Sequence, residues 1–77
     1  MKLNSLRYFA VLAEELHFGR AADRLAITQP PLSLAIKALE EELGVRLLLR
    51  SSKHVELTPA GSPFLGEARQ ILGCGAR

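Results

Sequence analysis

The stretch RAADRLAITQPPLSLAIK, residues 20–37, decides the fold because it holds two helices and the short link that joins them. The first helix is predicted over residues 20–26, with Gly19 as its cap and small alanines on its buried side. The second is predicted from about residue 29 to residue 43. Because the link Ile27–Thr28 is so short, the two helices must cross steeply, as in a helix-turn-helix.

Two prolines mark the start of the second of these helices. Pro30 and Pro31 fall in its first turn, where backbone N–H groups have no intrahelical partner, so they fix where the helix begins. Apolar residues at helical spacing predict its buried stripe, which consists of Leu32, Ile36, Leu39 and Leu43. The opposite face carries Pro30, Leu34, Lys37 and Glu41. The periodicity therefore predicts that a leucine, Leu34, faces outward.

Elements on both sides extend this pair of helices. A helix is predicted over residues 4–16, with Asn4 as its N-cap. After Gly44, which is suited to end the preceding helix, residues 46–57 predict a small β-hairpin, or wing. Its strands are expected at Leu47–Arg50 and His54–Leu57, around a turn of Ser51, Ser52 and Lys53. The predicted fold class is mainly α, a winged helix-turn-helix with a three-helix core and a two-stranded wing.

A fourth helix follows the wing and completes the predicted fold. Thr58 and Pro59 are expected as its N-cap and first residue, and Pro63 should kink it or delay its true start. Its apolar stripe exceeds what is needed to cover the first helix, which predicts a surface for pairing of two copies. The dimerisation residues proposed from this stripe are Phe64, Ala68, Ile71 and Leu72.

The overall composition fits one small domain of 77 residues with a net charge of +2. No apolar run approaches the ~20 residues of a membrane span, and the N-terminus lacks the core of a signal peptide. The single cysteine, Cys74, excludes an intrachain disulfide and favours a reducing compartment. We therefore expect a cytoplasmic protein with no membrane partner.

The motifs LRYF, FGRAADRL, TQPPLS, LEEELGVRLL and LTPAG occur in this order over about residues 3–72. As a set they resemble the N-terminal domain of LysR-type transcriptional regulators. The resemblance implies a bacterial regulator of transcription that binds specific sequences of double-stranded DNA as a homodimer, with tetramers in a full-length protein. It divides the chain into a DNA-binding domain at residues 1–58, with its helix-turn-helix at about 18–37, and a truncated linker and dimerisation helix at 59–77. A small-molecule effector would act only through a sensor domain that is absent here. No cofactor is implied.

The resemblance also implies which residues contact DNA. The start of the third helix approaches the major groove, and the wing approaches the phosphates and the adjoining minor groove. The DNA-binding residues carried over to this sequence are Gln29, Pro30, Pro31, Ser33, Leu34, Lys37, Arg50 and Lys53. Leu34 stands where the family often has arginine, so we expect it to contact a thymine methyl group instead. The alternative is an exposed leucine without a function.

Other interpretations remain open at the level of sequence. The runner-up function is a winged helix used only for dimerisation or protein docking, and an enzyme ranks third because no catalytic constellation is visible. Arg20 and Arg24 are equally suited to a phosphate contact and to pairing with an acid. The acidic residues 40–42 are expected to form a solvated helix end that avoids DNA. His17 and His54 have no neighbours at metal-ligand spacing, so no metal site is predicted.

Overall fold

The computed structural model describes residues 2–51 and 54–73 of the chain. Its elements are the helices α1 (Leu3–Glu15), α2 (Phe18–Leu25) and α3 (Gln29–Leu43), the strands β1 (Leu48–Arg50) and β2 (Val55–Leu57), and helix α4 (Gly61–Leu72). The two strands pair antiparallel, with Leu48 opposite Leu57 and Arg50 opposite Val55. This order confirms the predicted winged helix-turn-helix with a further C-terminal helix.

The core lies between the first three helices and the start of the wing. Its largest fully buried side chains are Phe9, Leu12, Leu32, Ile36, Leu39, Leu47 and Leu48. The stripe predicted on α3 is therefore confirmed for its first three residues, and Leu43 is half-buried at its end. Leu47 and Leu48 add the wing to the same core, so the hairpin packs against the helices instead of standing free in solvent.

The turn between α2 and α3 is closed by backbone hydrogen bonds. Ala26 ends α2 in the left-handed conformation, with φ of 59°. Its amide donates to the carbonyl of Asp23, and the amide of Ile27 donates to that of Ala22. This ends α2 abruptly, and α3 begins only three residues later, at Gln29. Only residues 26–28 separate α2 from α3, so the short link predicted between the two helices is confirmed.

Two predicted helix starts were wrong. Asn4 does not cap α1, because the helix begins one residue earlier and Lys2 holds the N-cap position without a side-chain hydrogen bond. Gly19 does not cap α2 either. The N-cap is His17, whose Nδ1 accepts from the amide of Arg20 at 3.0 Å. The imidazole nitrogen takes the place of the usual hydroxyl or carboxylate acceptor, so α2 gains two residues at its start.

The start of α4 is delayed, as predicted from Pro63. The helix begins at Gly61, so Pro63 falls in its first turn. The Thr58 side chain accepts from the Gly61 amide at 3.0 Å, so its capping role is kept even though Ala60 occupies the N-cap position. Pro59, expected as the first residue of the helix, lies in the preceding turn.

Candidate nucleic-acid interface

One side of α3 is left uncovered by the rest of the described chain. We call it the outward face of α3 and define it as the exposed residues Gln29, Pro30, Pro31, Leu34 and Lys37. Leu34 is 68% exposed, whereas Leu32 and Ile36, which point to the core, are at most 1% exposed. The predicted outward orientation of Leu34 is therefore confirmed. Ser33, also predicted to bind DNA, is half-buried at the edge of this face.

The prolines determine how α3 begins. Thr28 holds the N-cap position in an extended conformation, but its side chain makes no capping hydrogen bond. Pro30 and Pro31 occupy the first turn and have no amide hydrogens to satisfy. The helix start is thus set by two fixed φ angles. Such a start holds the side chains that follow it in a defined direction.

Basic side chains of the wing lie next to this face. Lys37, Arg46 and Arg50 line one shallow groove between α3 and β1, together with Glu40, Glu41, Gly44 and Val45. The guanidinium of Arg50 lies over the ring of Phe18, with its carbon atom 4.5 Å from the ring centroid. This cation–π contact connects the wing to the start of α2. Lys53, predicted to contact phosphate, lies outside the described residues.

Glu40 corrects the expectation that residues 40–42 form only a solvated helix end. Its Oε2 accepts from the amides of Leu47 at 2.7 Å and Leu48 at 3.1 Å, where the wing begins. Sequence reasoning missed this role. A signal was nevertheless present, because a carboxylate in the last turn of a helix is unfavourable with the helix dipole unless something else stabilises it.

Thr58 fixes the other side of the same segment. Its hydroxyl donates to the carbonyl of Arg46 at 2.5 Å, and its amide donates to the carbonyl of Leu47 at 3.0 Å. Glu40 of α3 thus holds two backbone amides at the start of the wing. Thr58 holds two backbone carbonyls there, those of Arg46 and Leu47. We call this arrangement of Glu40, Leu47, Leu48 and Thr58 the wing base.

Arg24 is engaged away from the outward face of α3. Its guanidinium lies 2.8 Å from the Glu14 carboxylate and 3.0 Å from that of Glu15. The hydrogen bond to Glu14 has the largest effect on the pKa of Arg24, and the bond to Glu15 the next largest. Both raise this pKa above its ordinary value. Of the two roles left open for Arg24, the structure favours pairing with acids. Arg69 of α4 approaches the same Glu14 at 3.5 Å, so the acid joins three helices.

The predicted dimerisation stripe of α4 is divided by the structure. Ala68 is fully buried, so the prediction that it lies on the surface that pairs two copies was wrong. Phe64 is half-buried and packs on Phe9, with ring centroids 5.5 Å apart. Both residues serve to cover α1, as the apolar stripe of a core-facing helix does. Ile71 is 60% exposed and Leu72 is half-buried, so these two retain accessible apolar surface.

Residues 2–51 and 54–73 contain neither a metal-binding cluster nor a helix that could span a membrane. In this part of the chain no group of three or more histidine, cysteine, aspartate or glutamate side chains could hold a metal ion. Within the same residues, no helix is long and apolar enough to cross a membrane.

Two helices joined by a short turn, an exposed face on the second helix and a basic two-stranded wing beside it define a winged helix-turn-helix domain. The sequence profile described as "Bacterial regulatory helix-turn-helix protein, lysR family" matches residues 3–62. The chain therefore belongs to the LysR family of bacterial regulatory helix-turn-helix proteins.

Curated relatives agree with this assignment. The chain is 60% identical over 72 residues to the HTH-type transcriptional regulator YnfL of Escherichia coli strain K12. It is also 60% identical over 72 residues to the HTH-type transcriptional regulator AlsR of Bacillus subtilis strain 168. Each match covers 94% of this chain and 24% of the relative, so the chain spans about a quarter of the relatives' length.

Solved structures of two DNA-binding domains match the fold closely. The BenM domain in complex with catB site 1 DNA has a TM-score of 0.91 at 51% identity, covering 95% of this chain and 82% of that one. The CbnR domain in complex with DNA has a TM-score of 0.93 at 45% identity, covering 100% of this chain and 88% of that one. Both matches include the helix-turn-helix and the wing, because they cover 95% and 100% of this chain.

Proposed function

We propose that this domain binds specific sequences of double-stranded DNA, with α3 in the major groove and the wing on the backbone and adjoining minor groove. The observation that carries the proposal is the outward face of α3, which is exposed along its length and bordered by the basic residues Lys37, Arg46 and Arg50. A major groove about 12 Å wide admits one α-helix. The domain would thus act in transcriptional regulation, as LysR family membership suggests.

The residues of the outward face have different roles in this proposal. Gln29 at the start of α3 can form two hydrogen bonds with the edge of an adenine, and Ser33 can bond a base or a phosphate. Leu34 is placed to contact a thymine methyl group, since apolar side chains recognise that group in the major groove. Pro30 and Pro31 contact the groove and fix the direction of these side chains.

Basic side chains supply the part of binding that does not depend on sequence. We assign phosphate contacts to Lys37 and Arg50, which lie on neighbouring elements and line the same groove. Lys53 receives the same role from the family resemblance. Such contacts position a protein on the duplex and make its affinity dependent on salt, but they do not choose the bases.

The solved complexes of the BenM and CbnR domains with DNA support this arrangement, because both proteins share the fold at 45% identity or more. The exposed outward face also favours DNA binding over the alternative of a domain used only for protein docking. A docking module would have no need for basic residues of the wing beside that face. The proposal assigns no catalytic activity to the domain and places it in the bacterial cytoplasm, where the DNA is.

We further propose that two copies pair through α4, using Ile71 and Leu72. The 60% exposure of Ile71 supports this, since covering an exposed isoleucine removes apolar surface from water and is stabilising. Tetramers and response to a small-molecule effector, which the family resemblance implies, are proposed only for a longer protein and through sequence beyond these 77 residues.

A binding selection tests the proposed function. The domain would be incubated with a library of random DNA duplexes, and with its own upstream DNA in a gel-shift experiment, each in the presence of heparin as a competing polyanion. We expect a recurring sequence to be enriched and to bind at least about 10³-fold more tightly than random duplex. Equal binding to all duplexes, removed by heparin, would leave only charge attraction and would favour the docking module.

A further inference from the structure

The hydrogen bonds of Glu40 connect the two elements that the proposed function assigns to DNA. Glu40 lies on α3, one helical turn after Lys37, and its carboxylate oxygen holds the amides of Leu47 and Leu48. Leu48 is the first residue of β1, and Arg50 ends the same strand. The carboxylate therefore ties the position of the wing directly to the helix that is to enter the groove.

The side chain is suited to hold this position firmly. Glu40 is half-buried, and both of its bonds are charge-assisted, with a short N···O distance of 2.7 Å to Leu47. One oxygen that accepts from two successive amides leaves the strand little freedom to shift along α3. Thr58 holds the neighbouring carbonyls from the far side, but its bonds join the wing to the start of α4 and not to α3.

Electrostatics alone would argue against an acid in this place. Glu40 lines the groove that contains Lys37, Arg46 and Arg50, so its charge opposes the attraction of these residues for phosphate. If Glu40 were only a charge, neutralising it would strengthen DNA binding. An acid beside the basic groove is compatible with DNA binding if its hydrogen bonds contribute more to binding than its charge takes away.

We propose that Glu40 is a positioning residue for DNA recognition, which sets the distance between α3 and the wing so that both reach one duplex. The inference rests on the proposed function, because it assumes that α3 and the wing bind the same DNA. It adds a residue that touches no DNA itself and acts through the backbone of Leu47 and Leu48.

Two substitutions at Glu40 separate position from charge. Glu40→Gln removes the charge and keeps one acceptor oxygen, while Glu40→Asp keeps the charge and withdraws the carboxylate by one methylene. Glu41→Gln is the matched control, since Glu41 is an exposed acid of the same groove to which no DNA contact is assigned, and the substitution removes the same charge. Affinity for the selected duplex would be measured by fluorescence anisotropy over a series of salt concentrations, at a temperature where circular dichroism shows each variant folded.

We expect Glu41→Gln to bind DNA as tightly as the unmodified domain or more tightly. Glu40→Asp and Glu40→Gln should each bind at least about fivefold more weakly, as expected for loss of a charge-assisted hydrogen bond. Their salt slopes should fall by roughly 1 for each phosphate contact that the wing loses. A defect in folding alone would lower the fraction of active protein without changing this slope.

Hydrogen exchange in the free domain gives a second readout that needs no DNA. The amides of Leu47 and Leu48 should lose protection in Glu40→Asp, while amides of the core helices keep theirs. The inference is overturned if Glu40→Gln binds more tightly, as Glu41→Gln does, or if Glu40→Asp keeps its affinity, salt slope and amide protection. If the unmodified domain shows no selective DNA binding at all, the proposed function fails instead. Hydrogen exchange then still shows whether Glu40 holds the amides of Leu47 and Leu48.

Discussion

Leu34 and Glu40 lie six residues apart on α3, but the helix uses them in opposite ways. Leu34 is 68% exposed on the outward face, whereas Glu40 is half-buried and holds two backbone amides at the wing base. A change on the outward face alters a side chain that is exposed in the described part of the chain. A change at the wing base should alter the position of the wing relative to α3, because Glu40 holds the amides at which the wing begins.

This difference suggests how such a domain can vary its recognition without losing its fold. Apart from Pro30 and Pro31, which set the start of the helix, the outward face of α3 is free to change because its side chains lie outside the core. The wing base is not free, because Leu47 and Leu48 are core residues as well as hydrogen-bond donors. Mutations in the two regions should therefore separate into those that affect DNA binding alone and those that also affect stability.

The largest expected effect is at the start of α4, where Gly61 packs against Leu47 of the wing base. A Cβ added at Gly61 would collide with the carbonyl oxygen of Leu47. Gly61→Ala should lower the free energy of unfolding by about 1–3 kcal/mol, as overpacking does. Each kcal/mol should lower the melting temperature by about 4–8 °C in a domain of this size.

Gly66→Ala is the control for that substitution. Gly66 is exposed within α4, and an added Cβ meets nothing within 4 Å. Because alanine favours the helix over glycine, it should stabilise the domain by about 0.5–1 kcal/mol. Thermal unfolding followed by circular dichroism measures both changes, and equal effects of the two would mean that α4 does not pack tightly on Leu47.

The comparison extends to α4, whose Ile71 is nearly as exposed as Leu34. If Ile71 pairs two copies, Ile71→Asp should weaken dimerisation at least about tenfold, because it places a charge in an apolar contact. Gln70→Asp adds the same charge to the same exposed turn and should leave dimers intact. Sedimentation over a range of concentrations would detect them. A strictly monomeric chain, or a dimer that tolerates Ile71→Asp, would contradict pairing through α4.

A smaller effect is expected at the basic edge of the groove. Arg50→Ala should weaken binding to all duplexes about equally and lower the salt slope by roughly 1, the effect of one lost phosphate contact. Arg24→Ala removes the same charge from a guanidinium held by Glu14 and Glu15, so its slope should change less. Lys53→Ala is expected to behave as Arg50→Ala does. A changed base preference with an unchanged slope would rule out the phosphate role.

The sequence predicted those features that depend on neighbours along the chain. The bounds of α3, the burial of Leu32 and Ile36 and the exposure of Leu34 all follow from helical periodicity, which is a local property. The prolines and Gly44 marked the ends of the helix for the same reason. Because the fold rests on these local patterns, it could be predicted nearly completely.

The errors at the wing and at α4 lie where one element meets another. The bond from Glu40 to the wing depends on where the chain returns after Gly44, and no spacing along the sequence reveals that. Ala68 was assigned to a dimer surface because its stripe is apolar, but only the packing of α4 on α1 decides which part of the stripe is covered. His17 as the cap of α2 was missed because histidine is not among the preferred N-cap residues.

The most direct test of the outward face of α3 as the DNA-reading surface uses the methyl group of thymine. In the selected duplex, the thymine that faces Leu34 would be replaced by uracil, and the affinities of the unmodified domain and of Leu34→Ala would be measured for both duplexes. We expect uracil to weaken binding of the unmodified domain by about 1 kcal/mol, or roughly fivefold. Leu34→Ala should show the same loss on the thymine duplex and no further loss with uracil. If the unmodified domain binds the uracil duplex as tightly as the thymine duplex at every position of the site, Leu34 does not contact a base and the proposed orientation of α3 is wrong.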